Sequence, residues 1–235
     1  MSASRAPLVV VTGTGTEIGK THVAVALLHA WRHILEARGL ERPRVAGLKP
    51  VESGVTPGAT TDIATLEQAS TFHVKRVSPP YMLTRAVSPH LAAASEGRTI
   101  ELTEILRPIH DARASADAVL VELAGGLFTP LAAGLTNCDV ARALEADAVL
   151  LVVPDRLGVL HDVAAATRAA QAEGLTLTGI LVVAPAEPDA STGTNAAELS
   201  VVTSLPVLAS VPRATSAAIA ARDDVRAIVG GLGGS

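Results

Sequence analysis

Short runs of apolar, mostly β-branched residues recur along the chain, and each run is bounded by Gly, Pro or Asp. Strands that are buried on both faces of a parallel sheet read as continuous apolar runs of this length. The pattern therefore predicts six strands, at Leu8–Thr12, Val45–Leu48, Ala118–Leu123, Ala148–Val153, Leu177–Val183 and Val207–Val211.

Ala- and Leu-rich stretches with helical spacing separate these strands. An alternation of strands and helices is typical of a doubly wound α/β fold, in which helices cover both faces of a mostly parallel sheet. We expect one such domain over residues 1–235, with right-handed crossovers. The helices are predicted at Lys20–Arg38, Leu102–Ala114, Asp139–Glu145, His161–Glu173, Asn195–Thr203 and Ser216–Val229.

The stretch from Val51 to Glu101 interrupts this alternation. It is rich in Thr, Ser, Pro and Gly, and its pattern predicts one short helix, at Asp62–Gln68. Long irregular insertions in compact domains usually carry function. We interpret the stretch as a functional loop region within the domain.

Composition narrows the possible partners. The chain has 235 residues, of which 49% are hydrophobic and 18% charged, with a net charge of −4. This balance predicts a globular protein without a general basic field, so we expect neither nucleic acid nor a membrane surface as a partner. A single cysteine, Cys138, and the lack of a signal-like start predict a cytoplasmic protein.

The strongest chemical signal follows the first predicted strand, where residues 13–21 read GTGTEIGKT. A glycine-bearing loop between a strand and a helix directs backbone N–H groups at phosphate, and the helix dipole adds to the attraction. Lys20 would reach the β- and γ-phosphates and the Thr21 hydroxyl would bind Mg²⁺. The motif is a variant of the usual phosphate loop, with one extra residue between Gly13 and Gly19.

Two further strand ends carry charged residues. Lys49 ends the second strand, where ligands of open α/β sheets gather, and a second cation there could neutralise charge during phosphoryl transfer. Glu122 ends an apolar strand, and a buried carboxylate is costly unless it is paired or bound to metal. Asp62, read alone, is interpreted as the N-cap of its short helix.

Four runs in this order resemble the dethiobiotin synthetase family: TGTxTEIGKT from Thr12, GLKPVxSG from Gly47, SPH from Ser88 and VExAGGxFTPL from Val121. The resemblance implies a P-loop ATPase fold and a homodimer with its active sites at the subunit interface. It also implies a reaction in which ATP and Mg²⁺ drive the joining of CO₂ to 7,8-diaminononanoate, closing the ureido ring of dethiobiotin.

The resemblance implies roles for individual positions. Catalysis would fall to Lys49, Lys20 and Glu17, and substrate contacts to Ser53 and to the backbone of Gly158, Val159 and Leu160, which would hold the substrate carboxylate across the subunit interface. Mg²⁺ would lie among Thr21, Asp62 and Glu122. Nucleotide contacts would come from Thr16, Glu17, Ile18, Gly19, Lys20, Thr21, His22, Asp62, Glu122, Leu123, Ala124, Gly125, Pro212, Arg213 and Ala214.

Three positions depart from the family pattern. Leu123 stands where the family usually has Gly, which would add a side chain where backbone approaches the ligand. His161 replaces an Asn beside the pocket for the substrate carboxylate. Val183 replaces the Asn that reads adenine, and its side chain lacks the paired donor and acceptor of an amide.

Two other functions stay open at this point. One is a related P-loop ATPase with a different small-molecule substrate, which the three departures motivate. The other is a switch ATPase that positions cargo on DNA or membrane. Such proteins usually have a signature lysine where this chain has Gly15.

Overall fold

A six-stranded, wholly parallel sheet organises the computed structural model, which describes residues 5–73 and 81–232. Its strands are β1 (Leu8–Gly13), β2 (Val45–Leu48), β5 (Ala118–Glu122), β8 (Ala148–Pro154), β9 (Gly179–Val183) and β10 (Val207–Val211), and their spatial order is β10-β9-β8-β1-β5-β2. After β1, the chain places β2 and β5 on one side of that strand and then β8, β9 and β10 on its other side. This reversal makes the carboxyl ends of β1, β5 and β8 the expected place for a ligand.

Helices cover both faces of the sheet. They are α1 (Lys20–Ala37), α2 (Asp62–Ala69), α3 (Pro89–Ser95), α4 (Leu102–Ser115), α5 (Asn137–Leu144), α6 (Val159–Ala172), α7 (Asn195–Glu198), α8 (Ser216–Ala220) and α9 (Asp223–Gly230), with a 3₁₀ turn at Leu199–Val201. Successive side chains of β1 point to opposite faces of the sheet. Leu8 and Val10 pack in the core beneath α4 and α5. Val9 and Val11 pack in the core beneath α1 and α9. The expected doubly wound α/β architecture is confirmed.

The irregular interpretation of residues 51–101 is wrong in part. Besides α2 and α3, the stretch forms β3 (Val51–Ser53), which pairs in parallel with β4 (Tyr81–Leu83). Strands of three residues with a distant partner are too short to show a periodic pattern. Residues 74–80 of this stretch lie outside the described residues. A second small sheet pairs β6 (Pro130–Ala132) with β7 (Leu135–Thr136).

Two predicted helices also differ from the structure. The stretch predicted as one helix at Ser216–Val229 forms α8 and α9, because Arg222 takes an extended conformation and Asp223 begins a new helix. Acidic residues in the first turn favour such a start. The stretch predicted as a helix at Asn195–Thr203 forms α7 and then the 3₁₀ turn. Within residues 5–73 and 81–232, no helix is long and apolar enough to cross a membrane.

Candidate active site

The loop that joins β1 to α1 has a backbone suited to binding an anion. Glu17 and Gly19 both take left-handed conformations, with φ of 56° and 90°. A Cβ atom at Gly19 would also lie only 2.9 Å from Cγ1 of Val183, so this position needs glycine for its conformation and for its close packing. The loop leads directly into the N-terminus of the 18-residue helix α1, where unpaired N–H groups attract negative charge.

Lys49 lies between two carboxylates at the carboxyl edge of the sheet. Its Nζ donates a hydrogen bond of 2.7 Å to Oε1 of Glu122, the last residue of β5, and a second hydrogen bond to Oδ2 of Asp62, the first residue of α2. The hydroxyl of Thr21 donates to the same Oε1 of Glu122 at 2.9 Å. Four elements that are distant in sequence therefore meet at one charged cluster.

Burial and the neighbouring charges shift the pKa values of Glu122 and Lys49. Burial raises the pKa of Glu122, although the ammonium of Lys49 opposes the rise. Burial alone would lower the pKa of Lys49, but the carboxylates of Glu122 and Asp62 outweigh it and raise the pKa. Lys49 is therefore a cation at neutral pH, between two acidic residues.

The pKa of Lys20 is shifted in the opposite direction from that of Lys49. Burial, together with repulsion from Lys49, lowers its pKa to about 8, and the attraction of Glu122 and Asp62 offsets only part of that effect. The ammonium donates to the carbonyl oxygen of Gly15 within its own loop, at 2.5 Å. It is 6% exposed, so a bound anion would gain a poorly hydrated cation.

Two clefts open on either side of this loop, and both include the stretch Thr16–Gly19. The first cleft has a volume of about 760 Å³ and contains the charged cluster. The second has a volume of about 770 Å³ and is bounded by the ends of β8, β9 and β10. Apart from the loop, the second cleft is lined by His22, Pro154, Arg156, Val183, Ala184, Pro185, Ala186, Pro212, Arg213, Ala214 and Thr215.

His22 connects the phosphate-loop helix to the far wall of the second cleft. Its Nε2 lies 2.8 Å from the carbonyl oxygen of Ala214 and its Nδ1 lies 3.1 Å from the hydroxyl of Ser216. Because a carbonyl can only accept, Nε2 must carry the proton, and a neutral ring would accept from Ser216 through Nδ1. The segment after β10 is thus tied to α1 by a side chain that lines both clefts.

Comparison with known proteins gives the family. A family model described as an AAA domain matches residues 8–218. The chain is 38% identical over 209 residues to the ATP-dependent dethiobiotin synthetase of Anaeromyxobacter dehalogenans, a match that covers 86% of this chain and 88% of the relative. It is 42% identical over 174 residues to the ATP-dependent dethiobiotin synthetase of Ralstonia nicotianae, covering 72% of both chains. The chain belongs to the dethiobiotin synthetase family.

Solved structures with this fold include far more distant proteins. The MinC:MinD cell division protein complex of Aquifex aeolicus contains a chain that superposes with a TM-score of 0.57, at 15% identity, over 96% of each chain. At this identity the likeness concerns the fold alone. It confirms the expected P-loop architecture of a dethiobiotin synthetase family member.

Most of the positions that the sequence assigns to a dethiobiotin synthetase site do line the two clefts. The first cleft is lined by the predicted residues Thr16, Glu17, Ile18, Gly19, Lys20, Thr21, His22, Lys49, Ser53, Asp62, Glu122, Ala124 and Gly125. The second shares Thr16–Gly19 and His22 with the first, and adds Pro212, Arg213 and Ala214.

Leu123 is a correction to the predicted nucleotide-contact set. Its side chain is 1% exposed and packs in the core on the α4 and α5 face, so it lines neither cleft formed by the described residues. Glu122 and Leu123 alternate along the strand direction, so one faces the charged cluster and the other faces away. The departure from glycine therefore adds no side chain to the site.

The start of α6 lies away from both clefts. Gly158, Val159 and Leu160 line neither of the two clefts of this chain, and Gly158 is exposed at the start of α6. The interpretation of Asp62 as a helix N-cap is wrong, because Thr61 is the N-cap and its hydroxyl accepts from the N–H of Ala64.

Four further residues line the clefts although no role was predicted for them. Glu52, Ser88 and Thr129 line the first cleft, and Arg156 lines the second. Ser88 falls in the Ser-Pro-His run and Thr129 in the Phe-Thr-Pro-Leu run, so the family motifs marked both segments without showing what they contact. Glu52 occupies a variable position of the second motif, which left it without a signal.

The charged cluster has the donor set of a magnesium site. Thr21, Asp62 and Glu122 supply only oxygen atoms, which Mg²⁺ prefers. Oε2 of Glu122 is buried and has no hydrogen-bond partner within the described part of the chain, so it has capacity for a cation. The described residues contain no group of three or more His, Cys, Asp or Glu that could hold a metal. Phosphate oxygens and water would therefore complete the coordination.

Proposed function

We propose that this protein is an ATP-dependent dethiobiotin synthetase, a ligase that closes the ureido ring of dethiobiotin from 7,8-diaminononanoate and CO₂. The identity of 38% and 42% to relatives of that name supports the activity. The single structural observation that carries the proposal is Lys49, a buried cation beside the phosphate loop that faces two carboxylates.

The reaction forms two C–N bonds to one carbon atom. One amine of the diamine adds to CO₂ and loses a proton, which gives a carbamate. A carbamate oxygen then attacks the γ-phosphorus of ATP, and ADP leaves. The second amine attacks the activated carbon and loses a proton, and the C–O bond to phosphate breaks. The products are dethiobiotin, ADP and inorganic phosphate.

The proposed role of Lys49 follows from its charge. A carbamate and a γ-phosphate are both anions, and they must approach each other for phosphoryl transfer. A cation between them offsets the repulsion and the charge that develops during transfer. Because its pKa is raised above the ordinary lysine value, Lys49 is protonated at neutral pH, so it acts electrostatically and not as a base.

Lys20 and the loop would bind the triphosphate. The ammonium of Lys20 would exchange its bond to the Gly15 carbonyl for the β- and γ-phosphate oxygens. Thr16–Gly19 would lead the nucleotide from the first cleft into the second, since this stretch lines both. Pro212, Arg213 and Ala214 would then lie along the ribose and base. Glu17, at the junction of the clefts, would face the reacting groups.

Mg²⁺ would be held by Thr21, Asp62 and Glu122. Mg²⁺ held there would supply positive charge that offsets the charge developing on the γ-phosphoryl group. The role of the protein is to keep these three oxygen donors at the end of the phosphate loop, and the hydrogen bonds around Glu122 support that role.

The diamine would occupy the first cleft near Ser53, whose position next to the Lys49 segment supports contact with the reacting amines. Gly158, Val159 and Leu160 lie at the start of α6, outside both clefts of their own chain. Their proposed contact with the substrate carboxylate therefore requires a second copy of the chain, which is why we propose a homodimer with shared sites.

A turnover assay tests this function. Wild-type protein with ATP, Mg²⁺, bicarbonate and 7,8-diaminononanoate should form dethiobiotin, detected by mass. The Lys49→Met variant should bind nucleotide but form product at least about a hundredfold more slowly, as when a transition-state charge contact is removed. Arg32→Met is the matched control, because it removes an exposed cation whose ion-pair partner in the described part of the chain is Glu36 on α1. Retention of full activity by Lys49→Met would refute the proposed role.

A further inference from the structure

Glu52 lines the first cleft, and no cation among the described residues pairs with its carboxylate. Both of its carboxylate oxygens instead accept backbone hydrogen bonds from the first turn of α2. Oε1 accepts from the N–H of Asp62 at 2.8 Å, and Oε2 accepts from the N–H of Ile63 at 2.9 Å. A carboxylate at a helix N-terminus is also favoured by the helix dipole.

The first turn of α2 therefore has two separate caps. The first N–H groups of a helix have no partner within the helix. Thr61 accepts from the third of them, on Ala64, and it belongs to the same chain segment as the helix. Glu52 accepts from the first and second, and it belongs to β3, on the far side of the turn at residues 54–60. Of these two caps, the one from Glu52 ties α2 to another element.

The chain segment that leads into β3 also carries Lys49, two residues before β3 begins. Residues 56–60 between β3 and α2 are exposed and offer little restraint on where α2 begins. Lys49 holds the side chain of Asp62, while Glu52, three positions further along, holds the backbone N–H of the same residue. The side chain of Asp62 is itself 44% exposed, so packing alone does not fix its direction.

We propose that Glu52 is a positioning residue that fixes Asp62 for binding Mg²⁺, by holding the first two N–H groups of α2 against the Lys49 segment. The inference rests on the proposed role of Asp62 as a magnesium ligand. Groups that orient metal ligands typically affect metal affinity by about 10- to 100-fold when they are removed.

Metal binding in the presence of nucleotide gives a direct test. Protein saturated with ADP is titrated with Mg²⁺ in a calorimeter, for the wild type and for the variants Glu52→Ala, Glu52→Gln, Thr61→Ala and Asp62→Asn. We expect Glu52→Ala to raise the dissociation constant of Mg²⁺ about tenfold. Glu52→Gln should fall between Glu52→Ala and the wild type, because an amide oxygen can still accept one N–H.

Thr61→Ala is the matched control. It removes a cap from the same helix turn without freeing the N–H of Asp62, so it should lower the melting temperature while leaving the dissociation constant within about twofold of the wild-type value. Turnover by Glu52→Ala should recover when Mg²⁺ is raised about tenfold, in proportion to the expected loss of affinity. A merely structural role for Glu52 predicts no such recovery.

Three results would overturn the inference. The first is wild-type metal affinity in Glu52→Ala and Glu52→Gln while Asp62→Asn binds weakly. The second is an equal loss of affinity in Thr61→Ala, which would show that helix stability alone matters. The third is wild-type affinity in Asp62→Asn, which would remove Asp62 from the metal site. None of these results contradicts the proposed function, which falls only if the wild type forms no dethiobiotin.

Discussion

Replacing Lys49 with Met should destabilise the protein in a way that depends on pH. The substitution nearly keeps the length of the side chain but removes the ammonium that lies 2.7 Å from Oε1 of Glu122. The Glu122 side chain is 0% exposed and, among the described residues, would keep the hydrogen bond from Thr21 alone. Asp62 is 44% exposed and can be hydrated, so the penalty arises mainly at Glu122.

The size of this loss of stability follows from leaving the charge of Glu122 buried without its partner. Breaking a buried ion pair by removing one member costs about 3–5 kcal/mol. The variant can lower this penalty by protonating Glu122, whose pKa is already raised by burial and would rise further once the opposing ammonium is gone. Above the ordinary glutamate pKa of 4.5, the folded variant would bind more protons than the unfolded chain. Its stability therefore falls as pH rises, by up to about 1.4 kcal/mol per pH unit.

Urea unfolding followed by circular dichroism, at several values between pH 5.5 and pH 8.5, measures this dependence. We expect the free energy of unfolding of Lys49→Met to fall below that of the wild type by about 3 kcal/mol or more at the upper end and by less at the lower end. The double variant Lys49→Met/Glu122→Gln should recover much of the loss at high pH. A penalty that is constant across this range, or a double variant no more stable than the single one, would refute the reasoning.

Three further outcomes are expected. ATP affinity should weaken as pH rises through about 8, where Lys20 loses its proton. Calorimetry in two buffers should then detect proton uptake when ATP binds. An ATP affinity that does not depend on pH, with no proton uptake, would contradict this expectation. His22→Ala should raise the KM for ATP about tenfold with little change in kcat, because two hydrogen bonds are lost. The control His33→Ala, on the exposed face of the same helix, should leave the KM unchanged. Steady-state kinetics measures both constants. Leu123→Ala should cost about 2–5 kcal/mol in urea unfolding yet leave the KM for ATP unchanged, and a changed KM would return Leu123 to the site.

The sequence was most informative where chemistry and periodicity coincide. Buried strands read as apolar runs, so the six strands of the main sheet were predicted to within about two residues, which is the usual uncertainty of strand and helix ends. The phosphate loop followed from its glycines and from Lys20 between a strand and a helix. Lys49 followed from its place at a strand end, because ligands of parallel sheets bind there.

Contacts between segments that are distant along the chain could not be predicted from the sequence. Glu52 caps a helix that begins ten residues later, and nothing in the local pattern marks it as a cap. The tie between His22 and the segment at Ala214 joins residues 192 positions apart. The side chain of Leu123 was expected to face a ligand, whereas strand alternation directs it into the core. Such outcomes depend on packing in three dimensions.

The most direct test of the central claim follows a labelled carbon atom. Wild-type protein is supplied with ¹³C-bicarbonate, ATP, Mg²⁺ and 7,8-diaminononanoate, and the product is analysed by mass spectrometry while ADP and phosphate are counted. The proposed function predicts dethiobiotin with the label in its ureido carbonyl, and one ADP and one phosphate for each molecule formed. Hydrolysis of ATP without labelled product would contradict it and would mean that the charged cluster around Lys49 serves a different substrate.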